Sequence, residues 1–155
     1  MIKKKIVKTQ GFVRAEYAFW VGKYMDKFYE NLAAKKIIGN KCPKCGKVFV
    51  PPRSACGACQ VTLPLGDWIE MKDTGTVLNF TTTSLAISEV RRRTRKAPVV
   101  IGLVKIDGSD TGVVYELLNV DESKVKIGMK VKVAWNEKLA GVPGDIKGFE
   151  PIGGA

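Results

Sequence analysis

All four cysteines of this 155-residue chain fall within nineteen residues, "KCPKCGKVFVPPRSACGAC", from Lys41 to Cys59. They form two C-x-x-C pairs, Cys42/Cys45 and Cys56/Cys59, separated by ten residues. Paired thiolates at this spacing build a tetrahedral four-sulfur metal site. The first pair continues into Gly46, which permits the positive φ that turns backbone amides toward sulfur. Ile37 and Ile38 lead in as a short strand, and "KVFVPPR" is an extended return. A segment this short and polar has little core of its own, so metal binding is expected to supply its folding free energy. Four sulfurs close the coordination sphere, which makes the metal structural. Zinc is the expected ion, and iron fits the same geometry. A thioredoxin-type redox pair is disfavoured by the second pair.

The metal segment divides the chain into residues 1–35, a helical segment, 36–66, a zinc ribbon, and 67–155, a strand-rich domain. In the first part Tyr17, Trp20, Val21, Tyr24, Met25, Phe28 and Leu32 recur at steps of three and four, predicting a helix near 16–34. Gly22 costs that helix about 1 kcal/mol. Its face is unusually aromatic. It either packs on the rest of the chain or offers Tyr17, Trp20, Tyr24 and Phe28 to a partner, because aromatic residues are enriched at interface centres.

From Trp68 onward, short β-prone runs alternate with Gly and Asp turns: "WIEMK", "GTVLNFTTTSLAI", "APVVIGLVKID", "GVVYELLNV", "KVKVAWN" and "IKGFEPI". This pattern predicts a small antiparallel barrel of OB type, with an SH3-like barrel as the alternative. "DESKVKIG" reads as a helical turn with Asp121 as N-cap and Gly128 as its exit.

The formal net charge of +11 invites a nucleic-acid reading, but its distribution weakens it. Residues 67–155 carry thirteen Lys and Arg against twelve Asp and Glu. Arg91, Arg92, Arg93, Arg95 and Lys96 make one local cluster, expected in a solvated loop between two strands. Such a cluster is either a mobile polar loop or a recognition point for phosphate or another anion. Arg53, on the stiff "VPPR" segment, reads as a structural cation.

The chain contains no histidine, so the usual proton shuttle at neutral pH and the Ser-His and Cys-His pairs are absent. No phosphate loop or dinucleotide fingerprint is present. Independent catalysis is therefore not expected. No apolar run approaches the roughly 20 residues of a membrane span, and the basic start "MIKKKIVKTQ" lacks a signal-peptide core, so a cytoplasmic protein is expected.

The series C-x-x-C, P-P-R, C-x-x-C, followed by "DWIEMKDTGTVLNFTTT", "APVVIGLVKID" and "VKIGMKVKV", resembles the prokaryotic family catalogued as domain of unknown function thirty-five, and its archaeal members most closely. The resemblance implies a mainly β chain with an N-terminal helix, in which a rubredoxin-like zinc ribbon precedes an OB-type barrel. It implies Cys42, Cys45, Cys56 and Cys59 as ligands of a structural zinc. It further implies a non-catalytic acyl-CoA-binding accessory protein that docks on a thiolase-fold enzyme, of the acetoacetyl-CoA thiolase or hydroxymethylglutaryl-CoA synthase type, in lipid or isoprenoid metabolism. The arginine cluster is this sequence's own feature and not part of the resemblance; with that function, Arg91, Arg92, Arg93, Arg95 and Lys96 are expected to meet CoA phosphates. The rivals are a single-strand nucleic-acid module, because OB barrels also bind single strands, and a catalytic lyase or hydratase component.

Overall fold

The computed structural model describes residues 11, 15–86 and 93–153, and for 84–86 and 93–97 the backbone alone. The helix α1 spans Lys23–Ala33 and not 16–34. Gly22 sits at φ 86, ψ 156, outside the helical region, and residues 15–22 are non-helical and largely exposed. Helix propagation across a glycine needs a packing surface to repay it, and Tyr17–Val21 have none. Within α1, Phe28 and Leu32 are buried, with Met25 and Tyr29 packed beside them.

Strand β1 (Ile37–Lys41) pairs antiparallel with both β2 (Val48–Phe49) and β5 (Trp68–Met71). The hairpin of β3 (Ala55–Cys56) and β4 (Val61–Thr62) carries the second cysteine pair. "WIEM", expected within the strand-rich domain, thus serves the ribbon sheet, because Ile37–Asn40 offers it a complete antiparallel ladder.

Five strands close the barrel: β6 (Thr74–Ala86), β7 (Arg93–Ile106), β8 (Gly112–Leu117), β9 (Lys130–Trp135) and β10 (Ile146–Pro151), in the order β10-β8-β7-β6-β9. Neighbours are antiparallel except β8 and β10, which run parallel where the chain closes the barrel. This is the connectivity of an OB fold. The turn at Glu122–Lys124 is a single 3-10 turn whose N-cap Asp121 accepts from the Ser123 backbone N–H at 3.0 Å. Alternation points Val131 and Val133 inward and Lys130 and Lys132 outward.

The arginine cluster departs from the expected loop. Arg93, Arg95 and Lys96 lie in the backbone of β7, with Arg93 opposite Ala86 and Thr94 opposite Leu85. The Thr-rich run of β6 suits a strand and extends the hairpin ladder into the basic run. Arg91 and Arg92 lie outside the described residues.

One core unites the parts. Phe28 and Leu32 of α1, Ile37 and Ile38 of β1, and Val50 join Val77, Val104, Val131 and Phe149 of the barrel. Polar ties reinforce the seam. The Val48 N–H donates to Asp110 Oδ2 at 2.9 Å, and the Asp110 N–H donates back to the Val48 carbonyl at 2.8 Å. The Val50 N–H donates to Thr111 Oγ1, whose hydroxyl donates to the Val50 carbonyl, both at 2.8 Å. No helix among the described residues is long and apolar enough to cross a membrane.

Candidate functional site

The cysteine pairs sit on two similar knuckles. In each, the residue after the second cysteine donates its backbone N–H to the carbonyl of the first: Gly46 to Cys42 at 2.9 Å and Gln60 to Cys56 at 2.8 Å. Both close in the left-handed region, Gly46 at φ 76 and Gln60 at φ 53. The second knuckle thus holds a non-glycine residue in a conformation that favours glycine. The sequence signals only the first of these turns.

The four Sγ atoms lie within 4.8 Å of one another, and Cys45 Sγ is 3.8 Å from Cys56 Sγ. A tetrahedron with metal–sulfur bonds of about 2.3 Å has edges of about 3.8 Å, so the cage is of the size a zinc or iron ion needs. Cys42 and Cys56 are buried, Cys59 is half-buried and Cys45 is exposed. The thiols also resist sharing the space without a cation. The Cys45 backbone N–H, above all, draws Cys42 down to about 6, whereas a hydrogen bond with the Cys45 sulfur, above all, pushes Cys59 up to about 12. A divalent ion removes that conflict by stabilising four thiolates at once. The donor set fits a structural metal. Phe49 and Leu63 pack with Cys42 and Cys56, so the ribbon has a small apolar cluster of its own, beyond the metal-only support the composition predicts.

Arg53 is held from behind. The buried Asn40 side chain accepts from the Arg53 N–H at 3.0 Å and donates to its carbonyl at 2.7 Å. The guanidinium lies 5.3 Å from the centroid of Phe49. Sequence reasoning had no signal for the Asn40 clamp.

The aromatic candidates separate. Phe28 is 4% exposed and belongs to the core, so it is not part of any docking surface in this fold. Tyr24 is half-buried, donates its hydroxyl to the Leu63 carbonyl at 2.7 Å and meets Trp68 edge-on at 5.9 Å. Tyr17 and Trp20 are 82% and 68% exposed, as is Phe19 at 79%. The Trp20 indole N–H donates to the Asp26 carboxylate. The expected four-residue face is thus two inward tethers and two outward aromatics. Phe19 was missed because it falls off the helical stripe that the segment does not form.

Comparison with known proteins matches residues 32–63 to the rubredoxin-like zinc ribbon domain of ChsH2 and residues 68–136 to the C-terminal OB-fold domain of ChsH2. A crystal structure of a DUF35-family protein of unknown function from Sulfolobus solfataricus is similar at 28% identity and TM-score 0.57, over 84% of this chain and 83% of that one. An Ltp2-ChsH2 (DUF35) aldolase is similar in fold at 23% identity and TM-score 0.58, over 81% of this chain and 91% of that one. The aldolase corrects the expectation of a chain with no part in catalysis, since this architecture occurs within a catalytic complex. A missing histidine excludes one kind of self-contained proton shuttle. It says nothing of a site completed by two chains.

Proposed function

From the premise that this chain belongs to the DUF35 family, with the zinc-ribbon and OB-fold domains of ChsH2, we propose that it is one component of a thiolase-associated complex that converts acyl-CoA thioesters. The acetoacetyl-CoA thiolase and hydroxymethylglutaryl-CoA synthase types are the proposed partners. Zinc is the proposed ion, held by Cys42, Cys45, Cys56 and Cys59. It would lock the two knuckles and take no part in the reaction, because four thiolates leave no open position. Arg93, Arg95 and Lys96 are proposed contacts for CoA phosphates.

The observation that carries the docking role is the exposed run Tyr17, Phe19, Trp20 ahead of α1. Apolar aromatic surface of this kind is costly to leave in water and marks interaction sites. Tryptophan and tyrosine are also the residues that dominate interface hot spots. Trp20 is anchored to Asp26, so part of its ordering cost is met before a partner arrives.

The test is recovery of complexes on the tagged chain from its native host, with identification by mass spectrometry. A thiolase-fold enzyme in stoichiometric amount is expected. The double variant Tyr17→Ala, Trp20→Ala should bind it about thirtyfold more weakly, with an unchanged melting temperature. Equal recovery by the variant would end the docking role, and recovery of nucleic-acid proteins alone would end the acyl-CoA reading.

A further inference from the structure

Strand β6 outruns its neighbour β9. It spans Thr74–Ala86, but β9 pairs only with residues 74–76. Two further bonds end that edge. The Val77 N–H donates to the Met129 carbonyl at 2.9 Å, and the Gly128 N–H donates to the Val77 carbonyl at 2.8 Å. Beyond Val77 no strand among the described residues pairs with that side of β6. Strand β7 likewise runs past β8, whose ladder on it begins at Val100. Residues 78–86 and 93–99 thus form a hairpin arm with two open edges. Two-stranded arms are marginal in water, and an open edge offers its unpaired N–H and C=O groups to another strand.

The two edges differ in chemistry. In β7 the open stretch holds Arg93, Arg95, Lys96 and Pro98. Its ladder also shifts register there: Thr83 faces Val99 and Leu85 faces Thr94, so residues 95–98 bulge opposite Ser84. Basic residues, a bulge and a proline, which has no N–H to give, are devices that keep an edge from pairing. Strand β6 carries neither charge nor proline: residues 74–88 have none, in a chain that is 26% charged. Its Thr81, Thr82 and Thr83 are β-branched and suit a strand. From Asn79 to Thr83 its register against β7 is unbroken. The Phe80 N–H donates to the Asn79 Oδ1 at 2.9 Å, so it points away from β7. Alternation then turns the Thr82 N–H and carbonyl outward as well.

We propose that this open β6 edge pairs antiparallel with the same edge of a second copy of the chain, about a two-fold axis at Thr82. The two Thr82 residues then exchange both N–H···O bonds. An uncharged edge has nothing with which to select an acidic or a basic strand, and it meets no repulsion from its own copy. The antiparallel sense also carries the basic ends apart. Arg93 lies opposite Ala86, so the two Arg93 backbones sit about 27 Å apart along the strands, beyond the screening length of about 8 Å. This pairing is independent of the acyl-CoA reading.

The test is sedimentation equilibrium of the full metal-loaded chain over a concentration series, beside Thr82→Pro and Thr82→Lys. A monomer–dimer equilibrium is expected for the unaltered chain. Thr82→Pro removes both central donors and should weaken the dimer about tenfold or more. That N–H lies outside the β6–β7 ladder, so the melting temperature of the monomer should be unchanged. Thr82→Lys keeps the N–H but sets like charges across the axis, and should weaken the dimer too. Arg93→Ala, on the guarded strand, should not weaken it. In amide exchange the Thr82 N–H should gain protection as concentration rises. A chain monomeric throughout, or a dimer indifferent to both Thr82 substitutions, would overturn the proposal. A monomer that captures a different protein, and loses it in Thr82→Pro, would overturn the second copy and give the edge to that protein.

Discussion

The ribbon and the barrel solve the same problem with different chemistry. The ribbon folds two-residue strands around four thiols and a four-residue cluster, Cys42, Phe49, Cys56 and Leu63. The barrel has strands of six to fourteen residues and a core that includes Val77, Val104, Val131 and Phe149. Stability in the first depends on thiolate and metal concentration. In the second it depends on apolar area removed from water. The boundary between them is not clean, because Ile37, Ile38 and Val50 of the ribbon side enter the barrel core.

Metal removal should break the comparison most strongly. Structural zinc contributes on the order of 10 kcal/mol in isolated fingers. Chelation, or Cys56→Ser, should therefore make amides of residues 42–63 exchange rapidly while those of β7 and β8 stay protected. Elemental analysis should return one zinc per chain, and an iron-type visible spectrum would reassign the ion. Global unfolding on chelation would show that the barrel cannot stand without the ribbon.

The converse experiment is Phe149→Ala. Phe149 is fully buried, and such truncations cost about 3–5 kcal/mol. The midpoint of barrel unfolding should fall by that amount with metal content unchanged. Loss of metal in this variant would mean that the barrel shapes the cage.

Acidification should sharpen the contrast with the smallest effect. Burial pushes the Asp145 carboxyl up, but the backbone N–H groups of Ala140, Gly141 and Val142 together hold it below its ordinary value of 3.8. A lowered folded-state value adds stability above the ordinary value, which is lost as pH falls through the folded one. Wild-type barrel stability should therefore drop below about pH 4, and Asp145→Asn should flatten that limb. The ribbon should fail at higher pH, because protons compete with metal for thiolates. A single shared acid transition in denaturation curves would refute separate origins.

Much of this was legible in the residues. The C-x-x-C spacing identified the sulfur cage, and the β-prone run "KVKVAWN" identified a strand. Asp121 marked its turn through its own side chain. Each of these signals is local. The aromatic periodicity before Lys23 misled for the opposite reason. A helical stripe becomes a helix only where something covers it, and Gly22 ends the path while Tyr17, Phe19 and Trp20 stay in water. The arginine cluster read as a loop because its partner strand was not visible.

By itself the sequence determined the four-cysteine cluster, the knuckle at Gly46 and the class of the C-terminal half, since these depend on neighbours a few residues apart. Only the tertiary structure decided that "WIEM" pairs with "IIGN", that β10 closes the barrel beside β8, and that Asn40 grips Arg53. Those outcomes join residues distant in the chain. The free energy that selects them comes from shared burial and paired backbone groups, which no stretch of sequence contains alone.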